Sequence, residues 1–344
     1  MSSILEMTPD ALAASMNEMG EPRFRAKQIL EWVYSRNATS WDEMTNLPNA
    51  LRRRLAERFR LYESEIQHEL RSNDGTRKLL LRWSDGATTE CVMIPDGDRR
   101  TACISTQVGC PVGCVFCASG LDGLQRHLSV AQIVEQAMRV RRMGTEHGGT
   151  AGLTNVVFMG LGEPLHNYDA TLAAIRIINA DWGMNIGARR ITLSTVGLPK
   201  QIKRLAEEGL QINLAVSLHA PDGELRKRLI PWAESIDIES LIEAIRHYFD
   251  RTGREVTLEY VLLHELNDQP QHARDLAHLA KRMRCNINLI RFNSVDGLPY
   301  ARPTSETTER FQRILRKHGA NSHIRKSRGR DIDGACGQLR RRSE

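Results

Sequence analysis

Residues 103–120 read CISTQVGCPVGCVFCASG and set Cys110, Cys114 and Cys117 in a C-x3-C-x2-C spacing. A structural zinc site usually takes four ligands, and a C-x2-C pair is only half of a zinc ribbon. The chain has no matching second pair, and Cys285 and Cys336 stand alone. Cysteine thiolates also hold iron–sulfur clusters, normally one per iron in a four-iron cube. Three thiolates leave one iron with an open position, and an open position separates a catalytic metal site from a structural one. Gly109, Pro111 and Gly113 allow a short loop to fold three sulfurs around one face of a cube. The spacing therefore favours a 4Fe-4S cluster over zinc.

The loop also opens a rhythm. Strand-like runs recur at residues 101–107 (TACISTQ), 154–160 (TNVVFMG), 189–197 (RRITLSTVG), 212–219 (INLAVSLH), 255–263 (EVTLEYVLL) and 286–293 (NINLIRFN). Helical periodicity fills the gaps. Residues 129–144 begin with a Ser129/Gln132 capping box, repeat apolar side chains at Ile133, Val134, Ala137 and Met138, and end at Gly144. Strands alternating with helices imply an α/β fold with a parallel sheet, here a partial (βα)6 barrel over residues 101–344. In such barrels ligands sit at the C-terminal ends of the strands. The cysteine loop, Gly162–Glu163, Ser194, Ser217–His219 and Asn293 all fall at such ends, which points to one site.

Two further regions precede the barrel. Residues 1–60 are helical in pattern and form a small accessory domain, with Phe24, Ile29, Leu30 and Val33 at helical intervals. Residues 61–100 are strand-rich, with turn signals at Asp74–Gly75 and Asp85–Gly86, and are expected to form two β-hairpins. The net charge is +6, yet residues 301–344 hold 12 Lys/Arg against 5 Asp/Glu. This basic end, in RILRKHG, HIRKSRGR and LRRR, suits a phosphate-rich partner or a solvated tail equally well. The N-terminus lacks the basic and apolar pattern of a signal peptide, and no apolar run is long enough to span a bilayer. A cytoplasmic protein without a membrane partner is expected, with its seven unevenly spaced cysteines serving metal or catalysis and not a disulfide framework.

C-x3-C-x2-C with Phe116 before the last cysteine resembles the signature of the radical S-adenosylmethionine (SAM) superfamily. FRAKQILEWVY, DEMTNLP, TTECVMIP, GLGEPLHNYD, ITLSTVG, AVSLHAP, EYVLL and DIDGACGQLR follow the order seen in the RlmN family, from about Pro22 to Arg340. That family methylates carbon 2 of adenine in 23S ribosomal RNA and transfer RNA. The resemblance implies Cys110, Cys114 and Cys117 as cluster ligands. It also implies SAM contacts from Gly162, Glu163, Ser194, Ser217, Leu218, His219 and Asn293. Leu161 stands where the family usually has methionine.

The same resemblance implies three catalytic residues. Cys336 would carry a methyl group taken from a first SAM. A radical made from a second SAM would activate that methyl for addition to adenine, and Glu90 would accept the proton from carbon 2. Cys103 would then pair with Cys336 and release the product. A lone cysteine is by default a small buried hydrophobe, the reading kept for Cys91 and Cys285. On residue type alone, Glu90 reads as an exposed glutamate on an edge strand. RNA contacts are expected from Arg52, Arg53, Arg54, Arg58, Arg60 and the basic C-terminal region. A reducing electron donor such as flavodoxin or ferredoxin is implied as a partner.

Three rival readings remain open at this level. A Cfr-type enzyme would modify carbon 8, although the proline of GEPLHNYD favours the carbon-2 group. A second rival keeps the radical chemistry but acts on a peptide or metabolite, and it gives no reason for pairing Cys103 with Cys336. The third is a non-catalytic zinc or iron–sulfur RNA-binding protein.

Overall fold

Helix-breaking and capping residues divide the first sixty positions as their pattern implies. The structure, a computed structural model, describes residues 1–145 and 152–340; Arg341 and Arg342 of the basic LRRR run lie outside that range. β1 (Ser2–Ser3) leads to α1 (Pro9–Glu18), where Thr8 accepts from the Ala11 amide at 3.2 Å and Pro9 fills the first helical position. α2 (Phe24–Leu30) and α3 (Asn49–Arg58) follow, and β2 (Phe59–Arg60) pairs in parallel with β1. Ile4, Leu12, Met16, Ile29 and Leu55 close the core of this unit. Arg53, Arg54, Arg58 and Arg60 remain on its exposed side.

The strand-rich segment is more continuous than two hairpins. β3 (Glu65–Arg71), β4 (Arg77–Arg82), β5 (Thr88–Asp96) and β6 (Arg99–Cys103) pair antiparallel in sequence. Asp74 and Asp85 make the first two turns, each accepting from the amide two residues on, at 3.0 and 3.1 Å. β6 is also the first parallel strand of the barrel, so the extension and the barrel share one sheet.

β7 (Gln107–Gly109) and β8 (Leu124–His127) then pair on either side of the cysteine loop. α4 (Val130–Thr145) has the predicted cap, with Ser129 and Gln132 exchanging side-chain-to-amide bonds of 3.2 Å. The chain continues through β9 (Asn155–Phe158), α5 (Tyr168–Asn179), β10 (Ile191–Thr195), α6 (Pro199–Ala206), β11 (Asn213–Ser217) and α7 (Gly223–Leu229). α8 (Ile238–Thr252), β12 (Val256–Leu262), α9 (Pro270–Ala280), β13 (Cys285–Arg291), α10 (Ser305–Lys317) and β14 (Ser322–Arg325) complete it.

Among the described residues the main sheet runs β14-β13-β12-β11-β10-β9-β6-β5-β4-β3. The expected six parallel strands are present, and β14 adds a seventh beside β13. The two ends of the sheet do not pair, so the barrel stays open. Alternation assigns the faces: Val256, Leu258, Tyr260 and Leu262 of β12 are buried in the apolar core, while Glu259 and Val261 line the barrel cavity.

The helical unit is fastened where it enters the sheet. Buried Glu135 of α4 accepts from the Glu63 amide at 2.7 Å, the Ser64 amide at 3.0 Å and the Ser64 hydroxyl, and Arg139 donates to the Ser64 carbonyl at 2.6 Å. Glu135→Ala strands two main-chain donors and is expected to lower stability by about 3 kcal/mol. Urea unfolding checks this: the midpoint falls while the slope stays constant.

Candidate active site

The cysteine loop has the shape its glycines permit. Gly109 has φ +77°, and a Cβ there would lie 1.9 Å from the Gly123 carbonyl oxygen, so no other residue fits. The Cys110 amide donates to that carbonyl at 3.1 Å, and the Val115 amide donates to Leu229 O at 3.1 Å. Cys110, Cys114 and Cys117 thereby line one cavity of about 160 Å³ inside the open barrel. Burial pushes the Cys110 thiol up to about 12 and raises the other two. Bound iron reverses that preference, because a coordinating thiol is deprotonated by the cation.

Among the described residues no three His, Cys, Asp or Glu side chains converge on a single-ion site. Thiolates around one zinc would stand about 3.8 Å apart, from a Zn–S bond of roughly 2.3 Å. Cys110, Cys114 and Cys117 share the wall of one cavity, where three thiolates would hold a cluster with one iron left open.

Glu163 faces the same cavity and is already engaged. Its Oε1 accepts from the Leu165 amide (2.9 Å) and the Thr195 hydroxyl (2.7 Å), and its Oε2 accepts from the Val196 amide (2.7 Å). These bonds tie the turn after β9 to the end of β10. A carboxylate offers about four acceptor positions, so one remains, on Oε2. Burial raises its pKa to about 7 against the opposing hydrogen bonds. Gly162 has φ +104°, and a Cβ would meet Gln107 at 2.7 Å; Gln107 Oε1 also accepts the Glu163 amide at 2.8 Å.

Ser194 and Ser217 line the cavity from β10 and β11. His219 adopts φ +59°, and its Nδ1 accepts from the Val261 amide at 3.0 Å. That bond places the ring proton on Nε2. Burial, with Arg226 nearby, lowers its pKa to about 3, so the ring is a neutral donor. The Leu218 side chain lies in the apolar core, away from the cavity. Asn293 is buried; its Nδ2 donates to the Cys336 carbonyl at 3.0 Å, and its Oδ1 accepts from Arg302 at 3.0 Å. It seats the cysteine segment.

Cys336 also borders a second, smaller cavity that shares Met159, Ile290, Asn293, Arg325 and Leu339 with the first. Cys103, buried at the end of β6, lines only this second space. Burial pushes the Cys103 thiol up to about 12, reinforced by Cys336 and opposed by Arg325. Cys91 matches its default reading, whereas Cys285 is only partly buried against the core. Cys91 lies in the apolar core, and the Cys285 thiol donates to Ala280 O at 3.6 Å.

Glu90 departs from its residue-type reading. β5 lies between β4 and β6, so it is no edge strand, and Glu90 is only 1% exposed. Its Oε1 pairs with Lys78 Nζ at 2.9 Å, and its Oε2 accepts from the Arg340 amide at 2.9 Å.

Sequence reasoning missed four charged residues here. Arg325 of β14 contacts the Met159 sulfur at 3.4 Å and faces Cys336, Glu259 and Cys103, which raise its pKa in that order of strength. Buried Glu259 has an Oε2 with no partner among the described residues. Arg226 is buried beside Cys114, with one nitrogen on Val196 O at 2.5 Å and two unpartnered. Lys78 is the fourth. Strand alternation places Glu259 and Arg325 in the lumen; the other two depend on distant segments.

Comparison with known proteins agrees with this geometry. The profile described as Radical SAM superfamily matches residues 104–277, and that of the ribosomal RNA large subunit methyltransferase N-terminal domain matches residues 2–61. A probable dual-specificity RNA methyltransferase RlmN from Rhodopirellula baltica is 45% identical over 339 residues, covering 98% of this chain and 90% of that protein. A Geobacillus thermodenitrificans protein of the same description is 44% identical over 340 residues, covering 99% and 93%. The crystal structure of a radical SAM methyltransferase from Sphaerobacter thermophilus superposes with a TM-score of 0.96 at 45% identity, covering 99% of each chain.

The Glu163 environment yields a pH prediction. Its carboxyl is protonated below about 7 and ionised above, and only the ionised form attracts an ammonium. SAM affinity of the cluster-loaded protein, measured by equilibrium dialysis, should therefore rise up to about tenfold from pH 6 to 8. Glu163→Gln should bind weakly and without that slope.

Proposed function

This chain belongs to the RlmN family of radical SAM RNA methyltransferases, and on that premise we propose that it methylates carbon 2 of adenine in ribosomal and transfer RNA through a methylated cysteine. The observation that carries the proposal is the shared wall of the two cavities. Cys336 borders both the space holding Cys110, Cys114 and Cys117 and the space holding Cys103.

Cys110, Cys114 and Cys117 would hold the 4Fe-4S cluster. When bound, the cluster and SAM supply a radical that takes hydrogen from a methyl group. The residues around them do the rest. Glu163 offers its last acceptor position to the SAM ammonium, His219 donates from Nε2, and Ser194 and Ser217 add hydroxyls. Gly162 lets the main chain approach closely.

Cys336 receives a methyl and presents it to both cavities. Methylation needs the thiolate, and Arg325 beside it supplies the positive charge. Once the carbon is bonded to adenine, the adduct radical would give up its unpaired electron to a one-electron acceptor, and Glu90 would take the ring proton. Cys103 would then attack the Cys336 sulfur, the S–S bond forming as the S–CH2 bond breaks. The freed methylene takes a proton to become the methyl group, and a reductant afterwards restores both thiols. Adenine must leave its stack to reach this depth, so a loop or a flipped nucleotide is the expected target.

The arginines of α3 and the basic C-terminal stretch would contact the RNA backbone. A flavodoxin or ferredoxin would deliver the electron, and the enzyme would work in the cytoplasm. No helix among the described residues is long and apolar enough to cross a membrane. The carbon-8 reading is not favoured, since the similar proteins are RlmN proteins over nearly the whole chain.

Nucleoside mass spectrometry tests the proposal: RNA from cells with the gene should contain 2-methyladenosine, while 8-methyladenosine would overturn it. Two substitutions divide the chemistry. Cys336→Ala should keep the cluster absorbance but acquire no protein-bound methyl. Cys103→Ala should accumulate protein covalently joined to RNA, visible as a retarded band on a denaturing gel.

A further inference from the structure

Glu90 and the segment carrying Cys336 are held by the same group. Lys78, on β4, is 2% exposed, and its ammonium lies 2.9 Å from Glu90 Oε1 and 3.1 Å from the Asp333 carbonyl. The other Glu90 oxygen accepts the Arg340 amide at 2.9 Å. Asp333 and Arg340 bracket Cys336, so one buried ion pair grips its segment at both ends. Neither cavity is lined by Glu90. In this arrangement the carboxylate cannot receive a proton from a base lying beside Cys336.

The upstream end of the segment is pinned separately. Asp331 accepts from the Ser72 hydroxyl (2.6 Å) and the Asn73 amide (3.2 Å), and the Gly329 amide donates to Asp74 Oδ2 (2.9 Å). These anchors belong to the β3–β4 turn. Beyond them Asp333 has φ +50°, and Gly334 and Gly337 flank the thiol. The chain is therefore fixed before Asp333, and to lift beyond it the segment must release the bonds that Asn293, Ala118 and Ser119 make to residues 336, 337 and 339.

We infer that Lys78 is a positioning residue for this reaction, tying the seating of residues 333–340 to the release of Glu90. When the segment lies down, Arg340 caps the carboxylate and Cys336 faces the cluster cysteines. When the segment lifts, the Arg340 amide leaves, Glu90 opens toward the substrate, and Lys78 keeps the carboxylate aligned. A buried Lys–Glu pair adds little net stability, and its best-attested use is to fix one arrangement against another. The inference rests on the proposed roles of Cys336 and Glu90.

Amide hydrogen exchange on the full, cluster-loaded chain tests it alongside product analysis. In the parent protein, adding substrate RNA should speed exchange in residues 333–340 and leave the barrel strands unchanged. Lys78→Met should exchange fast there without RNA and keep its cluster absorbance. It should also trap protein–RNA adduct while product falls about 100-fold, the size of a lost proton-transfer contribution. Lys78→Arg keeps the charge and should recover part of both signals. If Lys78→Met does not fold, Lys78→Arg alone decides, because its different reach should still shift exchange and the adduct-to-product ratio. Parent-like exchange and parent-like products in the folded variants would overturn the inference. A parent that forms no methylated adenosine would sink the functional reading instead, and the exchange comparison would still decide the role of Lys78.

Discussion

Residues 333–340 lie over the barrel cavity with almost no regular structure, so their buried main-chain groups must borrow partners. The Ala118 amide donates to Gly337 O at 2.8 Å, and Ser119 donates to Leu339 O at 2.7 Å. Asn293 holds the Cys336 carbonyl, and the Lys78–Glu90 pair holds both ends. These partners come from the cysteine loop, from the chain just after β13, and from the antiparallel extension. The site is therefore complete only when all three parts of the fold meet. The extension shares the barrel sheet for that reason.

The same enclosure sets the electrostatics. Burial drives the Cys103, Cys110, Cys114 and Cys117 thiols toward their neutral form, holds His219 neutral and raises Glu163. Positive charges in the site, Arg226 beside Cys114 and Arg325 between Cys336 and Cys103, are few and local. A bound cluster and a sulfonium cofactor bring the charges that these groups are arranged to answer. A low-dielectric cavity strengthens each such interaction and keeps water away from a reactive carbon radical.

Local chemistry made much of this legible. Asp74–Gly75 and Asp85–Gly86 announced their turns, Ser129 and Gln132 announced the start of α4, and three cysteines announced the cluster loop. The strand ends carrying Ser194, Ser217 and His219 did converge on one cavity. What stayed hidden was non-local. β14 is only four residues long, SHIR, too short and polar to show a strand pattern. Glu90 looked exposed because alternation assumes one wet face, whereas both faces of β5 are buried near Thr89, Glu90 and Cys91. Its partners lie on the neighbouring strand and 250 residues downstream.

A methyl that travels from SAM to Cys336 and then reacts as a carbon radical must lose one hydrogen on the way. Direct displacement onto RNA loses none. Supplying SAM with a fully deuterated methyl group to the cluster-loaded protein and its RNA separates the two routes. Mass spectrometry of the methylated adenosine should show one methyl deuterium replaced by hydrogen. A product that keeps every deuterium would contradict the radical route and the role of Cys336 with it.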